Sequence, residues 1–349
     1  MTAIPKKQDI RQMRYPALAE ALTGMGFQSF RARQVWEWLW KKGAHSLTEM
    51  TNLSLRDRAL LSERFDILPI REDKVQRSVD GTVKFRFRLH DGHLIESVLI
   101  PAPADRRYTV CVSCQVGCSL SCRFCATGQM KRVRNLEAAE IVDQVVLVNR
   151  QCMEIFGFGL TNIVYMGMGE PLLAYRPVLE SIERITASDG LAMSPSRITV
   201  STAGIAKMIV RLADEGVRFN LALSLHAPTD AQRDTIMPIN EENNLPVLMD
   251  ALHYFYQRTR NRISFEYIAF RDFNDREEDA VHLAKLCRRF PVRVNIIEYN
   301  AVPGLDFHSA GEDRIDRFAA YLSRRDIVVT VRRSRGKDID AACGQLANR

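Results

Sequence analysis

From Thr109 onward, short β-branched runs alternate with amphipathic stretches of about a dozen residues over roughly 240 positions, the pattern of a parallel sheet wrapped by helices. The runs are "TVCVS", "NIVYMGMG", "ITVSTAG", "NLALSLHAP", "ISFEYIAF", "VRVNIIEYN" and "IVVTVRRS". Gly169 and Glu170, Ser201, Ser224, His226 and Asn300 fall at or just past the C-terminal ends of these runs. In parallel α/β barrels that edge is where sites are built, so the alternation predicts one shared mouth. Upstream the pattern differs. Residues 1–75 read as a small helical domain, with Val35, Trp36, Leu39 and Trp40 on one helix face as core. Two "DG" turns between alternating apolar segments predict a β-hairpin linker over 76–103, leaving 104–349 for the α/β core and a C-terminal segment.

Five of the eight cysteines crowd into "CVSCQVGCSLSCRFC", residues 111–125. The chain carries no apolar stretch approaching the roughly 18 residues of a membrane span and starts without a signal-like segment, which places it in the cytoplasm. Structural disulfides are rare there, so the cluster reads as a metal site or as reactive thiols. Cys111-x-x-Cys114 with Cys122-x-x-Cys125 supplies the four ligands of a zinc ribbon. Ribbon pairs, however, usually stand roughly 15 to 20 residues apart, and this reading leaves Cys118 unused. The other reading takes Cys118, Cys122 and Cys125 as three thiolates that hold three irons of a cubane and leave the fourth iron open to a chelating ligand. Basic residues flank the chemistry at Lys131, Arg132 and Arg134 and again at Arg332, Arg333, Arg335 and Lys337. With a net charge of +7 they suit a polyanionic partner.

CxxxCxxC after the first strand, together with "GMGEP" after the next, resembles the radical S-adenosylmethionine (SAM) superfamily. More narrowly, "CVSCQVGC", "GMGEPL", "STAG", "SLHAP", "MPIN", "YNAVPG" and "DIDAACGQL" resemble the RlmN-type adenine methyltransferases over nearly the whole chain. The resemblance implies a partial (β/α)6 barrel and one [4Fe–4S] cluster on Cys118, Cys122 and Cys125. It also implies SAM contacts from Gly169, Glu170, Ser201, Ser224, Leu225, His226 and Asn300. By the same resemblance Cys343 becomes S-methylcysteine, Cys111 resolves it through a transient disulfide, and Glu96 is the proton acceptor.

The implied chemistry answers a real difficulty, because carbons 2 and 8 of adenine are electron-poor and do not attack a sulfonium methyl. Two SAM molecules would serve each turnover, one to methylate Cys343 and one to generate the radical that converts its methyl into a methylene radical able to add to the ring. Arg333, Arg335 and Lys337 are expected to ease deprotonation of Cys343. The implied substrates are adenosine in 23S ribosomal RNA and in tRNA beside the anticodon, with a flavodoxin- or ferredoxin-type electron donor, no membrane partner and no DNA. A Cfr-like carbon 8 methyltransferase shares the cysteines and the mechanism; "GEPL" where that group has "GEAL" favours carbon 2. A zinc-ribbon RNA-binding protein is the rival from another class, and would have no use for Glu170 or Cys343. Cys114 stands where the family commonly has Ser.

Overall fold

Strand runs that are apolar throughout have to be buried on both faces, and helices cover them here as that demands. The computed structural model describes residues 7–348. Its main sheet holds ten strands among these residues: β1 (Arg71–Arg77), β2 (Val83–Arg88), β3 (Leu94–Ala102), β4 (Arg107–Cys111), β5 (Asn162–Tyr165), β6 (Ile198–Thr202), β7 (Asn220–Ser224), β8 (Ile263–Ala269), β9 (Val292–Glu298) and β10 (Val328–Arg332). They lie in chain order across the sheet. β4 through β10 are parallel neighbours, and each of the six crossovers between them carries helix, as parallel pairing requires.

The crossover helices are α4 (Ala138–Phe156), α5 (Tyr175–Thr186), α6 (Ala206–Asp214), α7 (Asp230–Ile236), α8 (Leu245–Thr259), α9 (Glu277–Cys287) and α10 (Glu312–Ser323). Helix α4 starts on a reciprocal cap, in which Glu137 and Glu140 each accept the other's backbone N–H, and stops at the left-handed Gly157.

The segment expected as a hairpin linker is instead part of this sheet. β1 begins at Arg71, ahead of the expected boundary at 76. β3 pairs antiparallel with β4 from Val98 opposite Cys111 to Ala102 opposite Arg107. A free edge on β4 would have left a row of unpaired N–H and C=O groups, and three antiparallel strands cover it.

Before the sheet come α1 (Tyr15–Gly24), α2 (Ser29–Trp40) and α3 (Leu55–Arg64). The helical spacing on α2 buries Ala32, Val35, Trp36, Leu39 and Trp40 together. Trp38 is half-buried, donates to Asn52 Oδ1 at 2.6 Å and carries the Lys42 ammonium over its ring. Arg11 joins this region to α4: buried, it donates to Asp143 Oδ1 at 2.7 Å, to Asp9 and to the Leu68 carbonyl. Among the described residues no helix is long and apolar enough to cross a membrane.

Candidate active site

Residues from every parallel strand beyond β4 meet in one cavity, open to solvent at the C-terminal edge of the sheet. Register explains the meeting. Ser224 pairs with Glu266 and Ile297 with Arg332, so each pair points to the same face, and the sheet curves until β5 and β10 contribute to one wall. Sequence patterning put Ser201, Ser224 and His226 in this wall. It missed Glu266 and Arg332, whose outward-looking polarity reads as solvated strand edge until the sheet curls. Met166 also lines the cavity.

The loop after β4 brings Cys118, Cys122 and Cys125 into the wall. It is folded tightly: a Cβ on Gly128 would fall 2.7 Å from the Cys122 carbonyl oxygen. Cys111 and Cys114, which a zinc ribbon would pair with Cys122 and Cys125, are not in that wall. Cys111 ends β4, and Cys114 donates its thiol to the Met168 carbonyl. A single zinc ion holds thiolates about 2.3 Å away. Among the described residues no three His, Cys, Asp or Glu side chains converge so tightly. An iron–sulfur cluster takes each thiolate on a different iron, and Cys118, Cys122 and Cys125 line one cavity together. Burial pushes Cys118 up to about 11 and raises Cys122 and Cys125 as well, so only a cationic partner makes three thiolates tolerable there.

Elsewhere in the wall Gly169 has φ +100°, and a Cβ there would lie 2.5 Å from Gln115 Cβ. Only glycine lets the backbone turn here and pack against Gln115. The Glu170 carboxylate accepts the N–H groups of Leu172 and Ala203 at 2.9 and 2.8 Å, and burial raises its pKa. Ser201 and Ser224 hydroxyls stand 3.3 Å apart. His226 takes a left-handed φ of +54°, and its Nδ1 accepts the Ile268 N–H at 3.1 Å. Burial, aided by the Arg233 cation, pulls its pKa down to about 3. The ring is neutral and, with Nδ1 accepting, bears its proton on Nε2 as a donor. Leu225 and Asn300 are buried just outside the wall. The Leu225 N–H donates to the Glu266 carbonyl, and Asn300 keeps a buried Oδ1 without a hydrogen-bond partner among the described residues. An orphan acceptor beside a cavity is a vacancy in the bonding scheme that a ligand's donor fills.

Cys343 joins this wall from the far end of the chain. The segment carrying it is strapped on two sides. Ala126 N–H donates to the Gly344 carbonyl at 2.7 Å and Thr127 Oγ1 to the Leu346 carbonyl at 2.6 Å, from the cysteine loop. From the antiparallel strands, Lys84 Nζ donates to the Asp340 carbonyl at 3.3 Å, and Glu96 Oε2 accepts the Ala347 N–H at 2.9 Å. Cys343 is packed about by protein yet opens to solvent at the mouth; its neighbours' desolvation raises its pKa and Arg332 draws it back.

The cations expected to serve Cys343 are committed elsewhere: Arg333 pairs with Asp316, Arg335 donates to the Pro101 carbonyl and Lys337 pairs with Glu298. Arg332, although it pairs with Glu266 at 3.3 Å, lines the cavity with Cys343 and is the cation whose charge lowers that thiol. All eight cysteines are free thiols, and burial beside Cys343 raises Cys111 far above its ordinary value.

Glu96 lies outside the cavity wall. Its side chain is fully buried and ion-pairs with Lys84 at 3.5 Å beneath the C-terminal segment. Of the basic run after the loop, Lys131 and Arg132 are exposed, whereas Arg134 is held by Asp91 and Glu140 at 2.6 and 2.7 Å.

Residues 112–284 match the Radical SAM superfamily, and residues 8–67 match the Ribosomal RNA large subunit methyltransferase N-terminal domain. The chain is 53% identical to a probable dual-specificity RNA methyltransferase RlmN of Cytophaga hutchinsonii, covering 98% of this chain and 93% of that one. It is 49% identical to a protein of the same description in Flavobacterium psychrophilum, over 99% of both. The crystal structure of a radical SAM methyltransferase from Sphaerobacter thermophilus superposes with a TM-score of 0.92 at 40% identity, over 98% of this chain and 100% of that one.

Proposed function

The chain belongs to the RlmN family of radical SAM methyltransferases, and from that premise we propose that it methylates carbon 2 of adenosine in 23S ribosomal RNA and in tRNA beside the anticodon. The observation that carries this reading is Cys343: a thiol from the end of the chain stands in the same cavity wall as the three cysteines of the CxxxCxxC loop, beside Cys111. A zinc-binding module has no need of that meeting.

Cys118, Cys122 and Cys125 would hold the [4Fe–4S] cluster. Gly169, Glu170, Ser201, Ser224 and His226 would hold SAM from the cavity wall, with Leu225 and Asn300 supporting from behind. When bound, the cluster and SAM supply the methyl group and the one-electron chemistry that an unreactive ring carbon needs.

The chain's own residues do the rest. Glu170, its oxygens fixed by two backbone N–H groups, presents a carboxylate edge to the SAM ammonium. His226 Nε2–H donates into the cavity. Cys343 accepts a methyl on sulfur, which requires its thiolate; Arg332 supplies the nearby positive charge. The desolvated wall keeps water from competing for reactive species. After carbon–carbon bond formation, Glu96 takes the proton displaced from the ring carbon. Cys111, losing its proton, then attacks the Cys343 sulfur; the bond from Cys343 to the former methyl carbon breaks, that carbon takes up a proton to become the new methyl group, the odd electron left by radical addition would return to the cluster, and a Cys111–Cys343 disulfide remains to be reduced before the next turnover. In the structure Glu96 holds the C-terminal segment down, so its protonation step requires that segment to lift from β3.

Residues 1–75 act as an RNA-binding accessory region, 76–103 as the support of the C-terminal segment and 104–349 as the chemical core, in the cytoplasm with an electron donor of flavodoxin or ferredoxin type. Turnover on ribosomal RNA and on tRNA, followed by mass spectrometry of the digested nucleosides, tests the proposal. Methyl on carbon 2 of adenosine is expected; methyl on carbon 8, or none on adenosine, overturns it.

A further inference from the structure

Among the described residues, Arg233 on α7 is the bulkiest side chain buried without measurable exposure. It makes no ion pair among the described residues, Asp230 and Asp234 acting on it only from beyond contact, an expensive position for a guanidinium. Burial lowers its pKa only to about 10, so it stays charged at neutral pH. Its donors are spent on the cavity's back wall. Nε donates to the Leu225 carbonyl at 3.1 Å, and Nη2 to the carbonyls of Ala203 and Ser224, the strand-end turns after β6 and β7. Nη1 donates to Asn240 Oδ1 at 2.6 Å, and Asn240 in turn donates to Asp230 and Asp234. The same helix end abuts the cysteine loop: the Arg123 N–H, next to Cys122, donates to the Ile236 carbonyl at 2.9 Å.

We infer that Arg233 is a positioning residue with a second, electrostatic duty: it fixes the strand-end turns that face SAM and sets a permanent positive charge behind Cys122, making the cluster easier to reduce. A group ligated by three thiolates gains negative charge on reduction, and a buried cation behind one ligand favours the more negative state. The carbonyl ties explain the geometry but need only a hydrogen-bond donor. Asp230 and Asp234 reach Arg233 only through Asn240 and form no ion pair with it, so part of its charge remains to act on the cluster wall, where Cys122 feels it.

The inference rests on the assignment of the cluster to Cys118, Cys122 and Cys125. Iron and sulfide content of the anaerobically purified wild-type protein tests that assignment by itself. The test of Arg233 is the cluster's midpoint potential, read by electron paramagnetic resonance during dithionite titration without SAM, in wild type, Arg233→Met and Arg233→Lys. Arg233→Met is expected to weaken reduction about tenfold, about 59 mV for a one-electron couple. Arg233→Lys, with the charge kept and the fork lost, is expected to hold the potential within threefold while SAM affinity falls. A purely structural residue would lower cluster yield or stability with no change in potential, so an unchanged potential in Arg233→Met, or an equal fall in Arg233→Lys, overturns the inference. Should Arg233→Met assemble no cluster, Asp234→Asn decides. That exposed carboxylate can pass its bond to Asn240 to an amide oxygen, and removing its charge is expected to ease reduction; an unchanged potential there overturns the inference.

Discussion

Cys111 and Cys343 show how little a thiol's identity says before its surroundings are known. Both are raised by burial, and what separates them from the inert buried Cys152 is that Cys343 lines the cavity and Cys111 feels its charge. Cys111→Ala is expected to leave methyl uptake by Cys343 intact and to trap RNA covalently on Cys343, because no thiol remains to release it. Denaturing gel electrophoresis of enzyme with labelled RNA reads this, and free product at the wild-type rate contradicts it. Gly169 depends on conformation as the thiols depend on neighbours. Its φ of +100° and the 2.5 Å gap to Gln115 leave no room for a methyl group. Gly169→Ala is expected to weaken SAM binding at least tenfold in calorimetry and to cost about 1–3 kcal/mol of stability by urea unfolding. The spacing of "GMGEP" marks Gly169 in the sequence, whereas the partner it must clear, Gln115, lies 54 positions earlier and only the fold reveals it.

At the scale of elements, the antiparallel strands β1–β3 do more than extend the sheet. They grip the C-terminal segment through Lys84, Glu96 and Asp80, the last accepting the Gly336 N–H at 2.9 Å. Lys84 and Glu96 are almost wholly buried, so removing one charge strands the other. Lys84→Met is expected to destabilise by about 3–5 kcal/mol in urea unfolding. Lys84→Met with Glu96→Gln is expected to recover most of that loss; no recovery would mean that the pair's charges are not what matters. The two "DG" turns made these strands legible in outline. Their junction with β4 was not, because edge pairing is a contact between backbones and leaves no residue pattern. Glu96 was legible only through its motif, and its bond to the C-terminal segment joins residues 251 positions apart.

For the whole molecule, a net charge of +7 acts through the residues left free to meet a polyanion. Lys131 and Arg132 are exposed next to the cysteine loop, whereas Arg134 is neutralised by Asp91 and Glu140. Lys131→Ala with Arg132→Ala is expected to flatten the log–log salt dependence of RNA affinity by about 1–2 in slope, and Arg134→Ala to leave it unchanged while lowering stability. Filter binding at several salt concentrations checks both. By itself the sequence determined the seven-strand α/β alternation, the helical face of Trp36 and Trp40, the CxxxCxxC loop and the glycine beside Glu170, because each is written in local spacing that a strand, a helix or a turn converts directly into geometry. Only the tertiary structure decided that Arg332 and not its basic neighbours lies within electrostatic reach of Cys343, that Glu266 lines the cavity, that Glu96 holds the C-terminal segment from outside it, and that Arg233 is buried without an ion-pair partner where its charge reaches Cys122. Those outcomes depend on how far the sheet curls and which carboxylates each cation meets across the fold, and neither is carried by neighbouring residues in the chain.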